Sequence, residues 1–327
     1  MIHSLFLSRG LNWLLNKTLS QHVCIFTLHR PQGNHGLNGV DLSMLTRFIK
    51  LLKKHHCEFV SIDELLSPST FLNPSKNYVC FTVDDGYEDQ TQQLIPVLLA
   101  HNAKPTLFVI TDLVEGKDLP WDAQIATAVQ ASLCTELEVG SLGVPGEKWL
   151  SLNDKRQARR HLSFHAKRLE RNARLQFVED IKFRLCAKTP IDTSHYTPTN
   201  WQRLRELEAE GLKVGSHTCS HSPLSTLSKD DIRAELNASR EILEKNLQAP
   251  SAVFCYPVGM SEDVDNRARE IVKDLGFKGA LTSEPGYFVR RSMRENLFDV
   301  PRLSLPASLN TAVRYVSWLE KVRAVSA

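Results

Sequence analysis

Two short segments carry residues whose types and spacing could hold a metal ion. Asp84 and Asp85 close an apolar run, YVCFTVDD, and Gly86 follows them. Side chains alternate between faces along a strand, but where the strand enters a turn both carboxylates can face one site. Burying two adjacent carboxylates is unfavourable unless a metal or another cation compensates. Alone, Asp-Asp-Gly reads equally well as a turn cap. The second segment, GSHTCSH, sets His217 and His221 four residues apart, just past another apolar run. On one turn, that spacing offers two imidazoles to a single ion, and neutral imidazole is the commonest transition-metal ligand. Cys219 lies between them, but its i+2 position turns it away, so it reads as packing. His161 and His165 repeat the spacing with no carboxylate strand end beside them, which makes them a weak metal candidate. His55 and His56 fall at a basic helix end.

Such residues need elements to position them, and the hydrophobic pattern supplies these. Strand-like runs at 22–29, 78–85, 104–111, 212–217, 252–257, 277–282 and 299–305 alternate with helical patterns at 41–56, 87–101, 199–211 and 228–247. A closing helix starts at Ser308. Asp41 and Ser228 open their helices, and Gly211 stops another. The alternation predicts parallel βα units, in a barrel or a doubly wound sheet. Residues 121–196 break the rhythm, with no convincing strand and with helical patterns rich in Arg and Lys. They read as a helical insertion within a single domain spanning 1–327. Its basic face reads as solvated surface, with contact to an anionic substrate or membrane as the alternative. Trp201 reads as packing, whereas Trp121 and Tyr87 suit packing or sugar stacking.

Composition bounds the rest. The chain has 327 residues, 42% hydrophobic and 24% charged, which suits a globular α/β protein. A net charge of +3, scattered and without interleaved aromatics, predicts no nucleic-acid partner. No run reaches the roughly 18–20 apolar residues of a membrane span. The seven cysteines form no CxxC pair, and several lie in apolar runs, as reduced thiols in a reducing compartment do. Residues 1–20 lack the layout of a signal peptide and predict a packed helix, with peripheral membrane contact as the sharper alternative. The expected location is the cytoplasm.

Taken in order, FTVDDGYED, KPTLFVIT, WQRLRELEAEGLKVGSHTCSHSPLSTLS and FCYPVG resemble successive motifs of the NodB-type polysaccharide deacetylases, carbohydrate esterase family 4. The likeness covers most of the chain. It implies a distorted (β/α) barrel that removes N-acetyl groups from an N-acetylhexosamine-containing glycan, or from a precursor such as a lipid-linked sugar, during synthesis of a cell-surface polysaccharide. It also makes Asp85, His217 and His221 the metal ligands and Asp84 the general base. Zinc is the default ion, and cobalt, iron or nickel also suit these ligands. Three protein ligands leave a position open for substrate and for water, whose pKa the ion lowers. The family's backbone oxyanion donor maps to Val258, with Tyr256 and Pro257 beside it as substrate contacts.

The chain departs from the family pattern in three places. Cys255 stands where an Arg orients the base, Val258 replaces a Tyr, and no C-terminal Leu-x-His motif supplies a general acid. A circularly permuted subgroup, similar in this respect, takes its acid histidine from an N-terminal strand. IFTLHRP then makes His29 the general acid. Arg302, in VPRLSL, is the candidate to replace the missing Arg and pair with Asp84. The alternatives are an O-deacetylase or N-deformylase on the same site, and a non-catalytic glycan-binding protein that keeps the fold and the metal.

Overall fold

Period-two apolar runs become strands and period-3.6 runs become helices in the computed structural model of the chain. It describes residues 22–33, 39–70, 72–73, 75–146, 148–186, 190–289 and 297–320, with 7, 8, 10, 11, 13, 14 and 322. Strand β1 (His22–Leu28) leads to helix α1 (Leu42–Lys54), whose Asp41 cap accepts the Ser43 and Met44 amides. Next come β2 (Glu58–Phe59), α2 (Ile62–Leu66) and β3 (Tyr78–Asp85). A π-helical turn over Gln90–Leu94 runs into α3 (Ile95–Ala100), and β4 (Thr106–Val109) and α4 (Thr111–Val114) follow. The insertion holds α5 (Trp121–Ala131), β5 (Glu136–Glu138), β6 (Trp149–Ser151), α6 (Lys155–Ala166) and α7 (Arg171–Cys186). Alternation then resumes with α8 (Trp201–Ala209), β7 (Lys213–Ser216), α9 (Lys229–Asn246), β8 (Val253–Cys255) and α10 (Asn266–Asp274). The described chain ends through β9 (Gly279–Pro285), β10 (Phe288–Val289), β11 (Val300–Ser304) and α11 (Leu309–Val316).

Strands β1, β3, β4, β7, β8, β9 and β11 pair in parallel and close a barrel, with β11 returning to β1. β2 adds to β3 in parallel, and β10 pairs antiparallel with β1. The expected (β/α) barrel is therefore the fold. Alternation sorts its side chains into two layers. Val23, Ile25, Cys80, Phe108, Val253 and Cys255 share one buried cluster inside the barrel, joined by Ile62, Leu65 and Leu66 of α2. The opposite phase, including Phe26, Phe81, Val83, Leu107 and Val214, packs on α1, α3 and α8. Gly215 in β7 permits this filling, because a Cβ there would stand 2.7 Å from the Phe108 ring.

The insertion has its own core, in which Trp121, Ile125, Leu137, Leu150, Leu162 and Phe177 meet. It is not purely helical, since β5 and β6 form an antiparallel hairpin. Three-residue strands are too short for periodicity to reveal. Leu7 is buried with the outer barrel core, while Trp13 and Leu14 are exposed. Residues 10, 11, 13 and 14 are helical, and the remaining residues of the 1–20 expectation, apart from 7 and 8, lie outside the described residues. Among the described residues, no helix is long and apolar enough to cross a membrane. None of the seven cysteines, all of them described, forms a disulfide.

Candidate active site

The inward phase of the strands carries polar groups to one mouth of the barrel. Above Cys80 on β3 come Thr82 and Asp84; above Ile25 on β1 come Thr27 and then His29 just past the strand end; Arg302 follows Val300 on β11. Asp84 and Arg302 form a buried bidentate pair, with Nη1 to Oδ1 at 2.8 Å and Nη2 to Oδ2 at 2.7 Å. Arg302 also donates to Thr82 Oγ1 at 3.0 Å, the Thr282 carbonyl at 2.9 Å and Cys255 Sγ at 3.2 Å. Thr27 Oγ1 reaches Asp84 Oδ2 at 3.4 Å. Burial alone would raise the Asp84 carboxyl, but the Arg302 guanidinium outweighs it and holds the acid well below the usual carboxylate range. Arg302 thus pairs with Asp84 from a position beside Cys255.

Asp85 faces the other way along the same mouth. Its φ of +95° breaks the strand alternation and swings the carboxylate toward the loop after β7. Asp85 Oδ1 lies 3.9 Å from both His217 Nε2 and His221 Nε2. Ligand bonds of about 2.0–2.2 Å at tetrahedral angles separate donors by about 3.4 Å, so closing on an ion needs a shift of a few tenths of an ångström. Each imidazole is oriented through its other nitrogen: His217 Nδ1 meets the Cys255 carbonyl at 2.8 Å, and His221 Nδ1 meets Asp122 Oδ1 at 3.1 Å. With Nδ1 protonated, both rings turn a bare Nε2 to Asp85, the arrangement that metal-ligating histidines use. Burial pushes the His217 pKa down to about 3, which keeps that ring neutral. Burial also raises the Asp85 carboxyl, a penalty that a bound cation removes. Two imidazoles and one carboxylate fit a divalent ion of the zinc type. Asp84, His217 and Cys255 converge as well. That trio suits an ion less, because Arg302 occupies both Asp84 oxygens and burial raises the Cys255 thiol well above its ordinary value.

The ligand loop is strained and clamped. Asp85, Thr218, His221 and Val258, all beside this mouth, have positive φ of 95°, 66°, 60° and 60°. For β-branched Thr and Val this is an outlier conformation that only surrounding structure can enforce. The clamp includes Glu235 of α9, which is buried and accepts the Cys219 and Ser220 amides, each at 3.0 Å. Thr218 Oγ1 accepts the His221 amide at 3.0 Å, and the Trp121 indole donates to the His221 carbonyl at 2.9 Å. The i, i+4 histidine spacing is therefore realised in a left-handed loop and not on a helical turn.

His29 is exposed and lines a cleft of about 420 Å³ together with Asp85, Tyr87, Asp122 and Tyr196. It lies close enough to both aspartates to influence their ionisation. The Val258 amide has no hydrogen-bond partner among the described residues, and the Val258 side chain packs on the insertion core. Pro257 has no N–H, and its carbonyl accepts from Gly259 at 2.6 Å. Tyr256 points away from the mouth: its ring is buried against Phe254, its hydroxyl donates to the Phe298 carbonyl at 3.1 Å and its amide to Leu281 at 3.0 Å. That corrects the expectation of a substrate contact, because Tyr256 shares the outward phase of Phe254. Cys219 packs as expected, receiving the Thr111 hydroxyl. His165 rests against the Phe177 ring, and no metal-ligand grouping among the described residues includes His161 or His165. Sequence reasoning missed Asp122 and Glu235, whose partners lie 99 and 15–16 residues away. Trp121-Asp122 at the entry to the insertion was the available signal.

The family model for polysaccharide deacetylase matches residues 72–158 and 186–280, more than half of the chain, and the chain belongs to that family. YxkH, a polysaccharide deacetylase candidate of Bacillus subtilis (strain 168), is 25% identical over 85 residues, which span 26% of this chain and 29% of that relative. Streptococcus pyogenes deacetylase PplD, solved in complex with acetate, has a TM-score of 0.61 at 16% identity, covering 91% of this chain and 99% of its own. IcaB from Ammonifex degensii gives 0.58 at 15% identity, covering 91% and 98%. At these identities the two structures share the fold. Asp84, Asp85, His217 and His221 lie within the matched segments, whereas His29 and Arg302 come from strands outside them.

Proposed function

We propose that the protein is a divalent-metal-dependent deacetylase that removes N-acetyl groups from an N-acetylhexosamine-containing glycan or glycan precursor. One observation carries this reading: beside the Asp85/His217/His221 donor set stands a second carboxylate, Asp84, kept ionised by Arg302 and not needed as a ligand. A site that only bound sugar would have no use for a base there. A divalent ion on Asp85, His217 and His221 supplies Lewis acidity to the acetyl carbonyl and to water. Asp84 accepts the proton of the attacking water, and Arg302 fixes its orientation through both oxygens. His29, at the exposed rim, gives a proton to the departing amine. The Val258 amide donates to the carbonyl oxygen as negative charge develops there. Asp122 and Glu235 act through the ligand loop and are positioning residues. The same groups suit O-acetyl and N-formyl substrates.

We further infer one catalytic domain over 1–327, with the insertion forming part of the cleft wall. Seven cysteines without a disulfide support a reducing compartment, and hence a substrate at the precursor stage. The test is acetate release by the metal-loaded protein from a panel of N- and O-acetylated sugars, with Asp84→Asn as the control. Release that falls roughly a hundred- to ten-thousandfold in the variant supports the base assignment. No release from any sugar, with metal bound, would leave a metal-containing glycan-binding protein.

A further inference from the structure

One wall of the active-site cleft is cationic in a way that pairing among the described residues does not account for. Arg156, Arg159 and Arg160 of α6 line the same cleft as Asp85 and Asp122. Their i, i+3, i+4 spacing puts them on one helix face. Arg159 acts on the Tyr196 hydroxyl and on Asp122. Arg156 and Arg160 have neither an ion pair nor a hydrogen bond among the described residues.

Local physics disfavours this stripe. Like charges at i, i+4 repel along a helix. Lys155 and Arg156 occupy the first turn with no acid beside them, against the positive end of the helix dipole. α6 contains no Asp or Glu at all, and the Asp154 cap, with Asp122 opposite Arg159, offsets part of its charge. Three choices that each weaken the helix make sense where an outside anion compensates. Among the described residues, the rest of the cleft does not supply one to Arg156 or Arg160. Arg302 neutralises Asp84, a divalent ion would neutralise Asp85, and Asp122 is engaged by His221.

We propose that Arg156, Arg159 and Arg160 form a phosphoryl-binding wall, so that the N-acylated sugar entering this cleft carries a phosphate or diphosphate group. The sugar half of this statement rests on the deacetylase reading above; the anion half rests on the arginines. Phosphate suits the wall better than a carboxylate does. Guanidinium forks pair with phosphoryl oxygens bidentately, and a diphosphate matches three cations where a lone carboxylate carries one charge. The volume of about 420 Å³ is toward the low end for small-molecule sites, enough for one sugar and its nearest substituent.

The test is calorimetric titration of the metal-loaded protein, in an Asp84→Asn background to prevent turnover, at fixed ionic strength. The probes are N-acetylglucosamine 1-phosphate and the neutral methyl N-acetylglucosaminide. The phosphorylated sugar is expected to bind about tenfold tighter or better, and added salt is expected to shrink that preference. In Arg156→Gln/Arg160→Gln the ratio of the two affinities should fall toward one, and Arg156→Lys/Arg160→Lys should retain part of it. Equal affinity for both probes, or a ratio unchanged by the Gln pair, overturns the phosphoryl wall. A glucuronate-containing oligomer that outcompetes the phosphate also overturns it. Acetate release from UDP-N-acetylglucosamine against a short-prenyl N-acetylglucosaminyl diphosphate, by the protein with Asp84 intact, then separates a nucleotide-linked from a lipid-linked source. Because titration needs no turnover, loss of the anion preference and failure to release acetate from any sugar are distinct results. The first removes the wall, and the second removes the deacetylase reading.

Discussion

Asp84 and Asp85 are neighbours in the chain, yet the two sides of the site they head are built by different means. The groups around Asp84 sit on strands, although β11 shifts its register against β9 between Val300 and Arg302. Thr27, Cys255 and Arg302 reach it, and Thr82 accepts from Arg302, because strand alternation points these side chains into the barrel. Around Asp85 almost nothing is regular. The candidate ligands come from two strand ends with left-handed residues, and distant side chains hold these in place: Glu235 from α9, and Trp121 and Asp122 from the insertion. Damage on the base side should therefore show in folding as well as turnover. Damage to the clamps on the ligand side should show first in metal affinity.

Four substitutions sharpen or break that division. The largest effect belongs to Asp84→Asn, which should lower acetate release roughly a hundred- to ten-thousandfold while metal stays bound. Parallel loss of metal would mean that Asp84 is a ligand and that the two sides are not separate. Arg302→Met should destabilise the fold by about 3–5 kcal/mol in denaturant unfolding, because it strands a buried carboxylate. Adding Asp84→Asn should restore part of that loss, and strict additivity would show the pair is not coupled. On the other side, Asp122→Asn should weaken metal binding about 10- to 100-fold in a chelator competition, with folding far less affected than in Arg302→Met. The smallest effect is Tyr256→Phe, which should cost about 1 kcal/mol of stability through its lost hydrogen bond and leave KM unchanged. A raised KM would return Tyr256 to the substrate site.

Legibility in the sequence follows the same line. Asp84, His29 and Arg302 were named through the family resemblance and the departures from it, and the inward phase of β1, β3 and β11 explains why they meet at one mouth. The same rule shows why Tyr256 does not join them: Val253 and Cys255 point in, so Phe254 and Tyr256 point out. His217 and His221 were legible by type and spacing, but their loop geometry was not, since left-handed Thr218 and His221 break local preference and rely on tertiary clamps. No local pattern links Asp122 to His221 across 99 residues. The insertion hairpin escaped because exposed Glu136 and half-buried Glu138 flank a single buried Leu137, too little alternation to distinguish from a loop.

The most direct measurement is metal content after purification and zinc incubation, comparing wild type with Asp85→Ala, His217→Ala and Asp84→Asn. The geometry predicts about one ion per chain in the wild type and in Asp84→Asn, and none in the two ligand variants. A wild-type protein without metal, or ligand variants that keep it, would contradict the Asp85/His217/His221 centre.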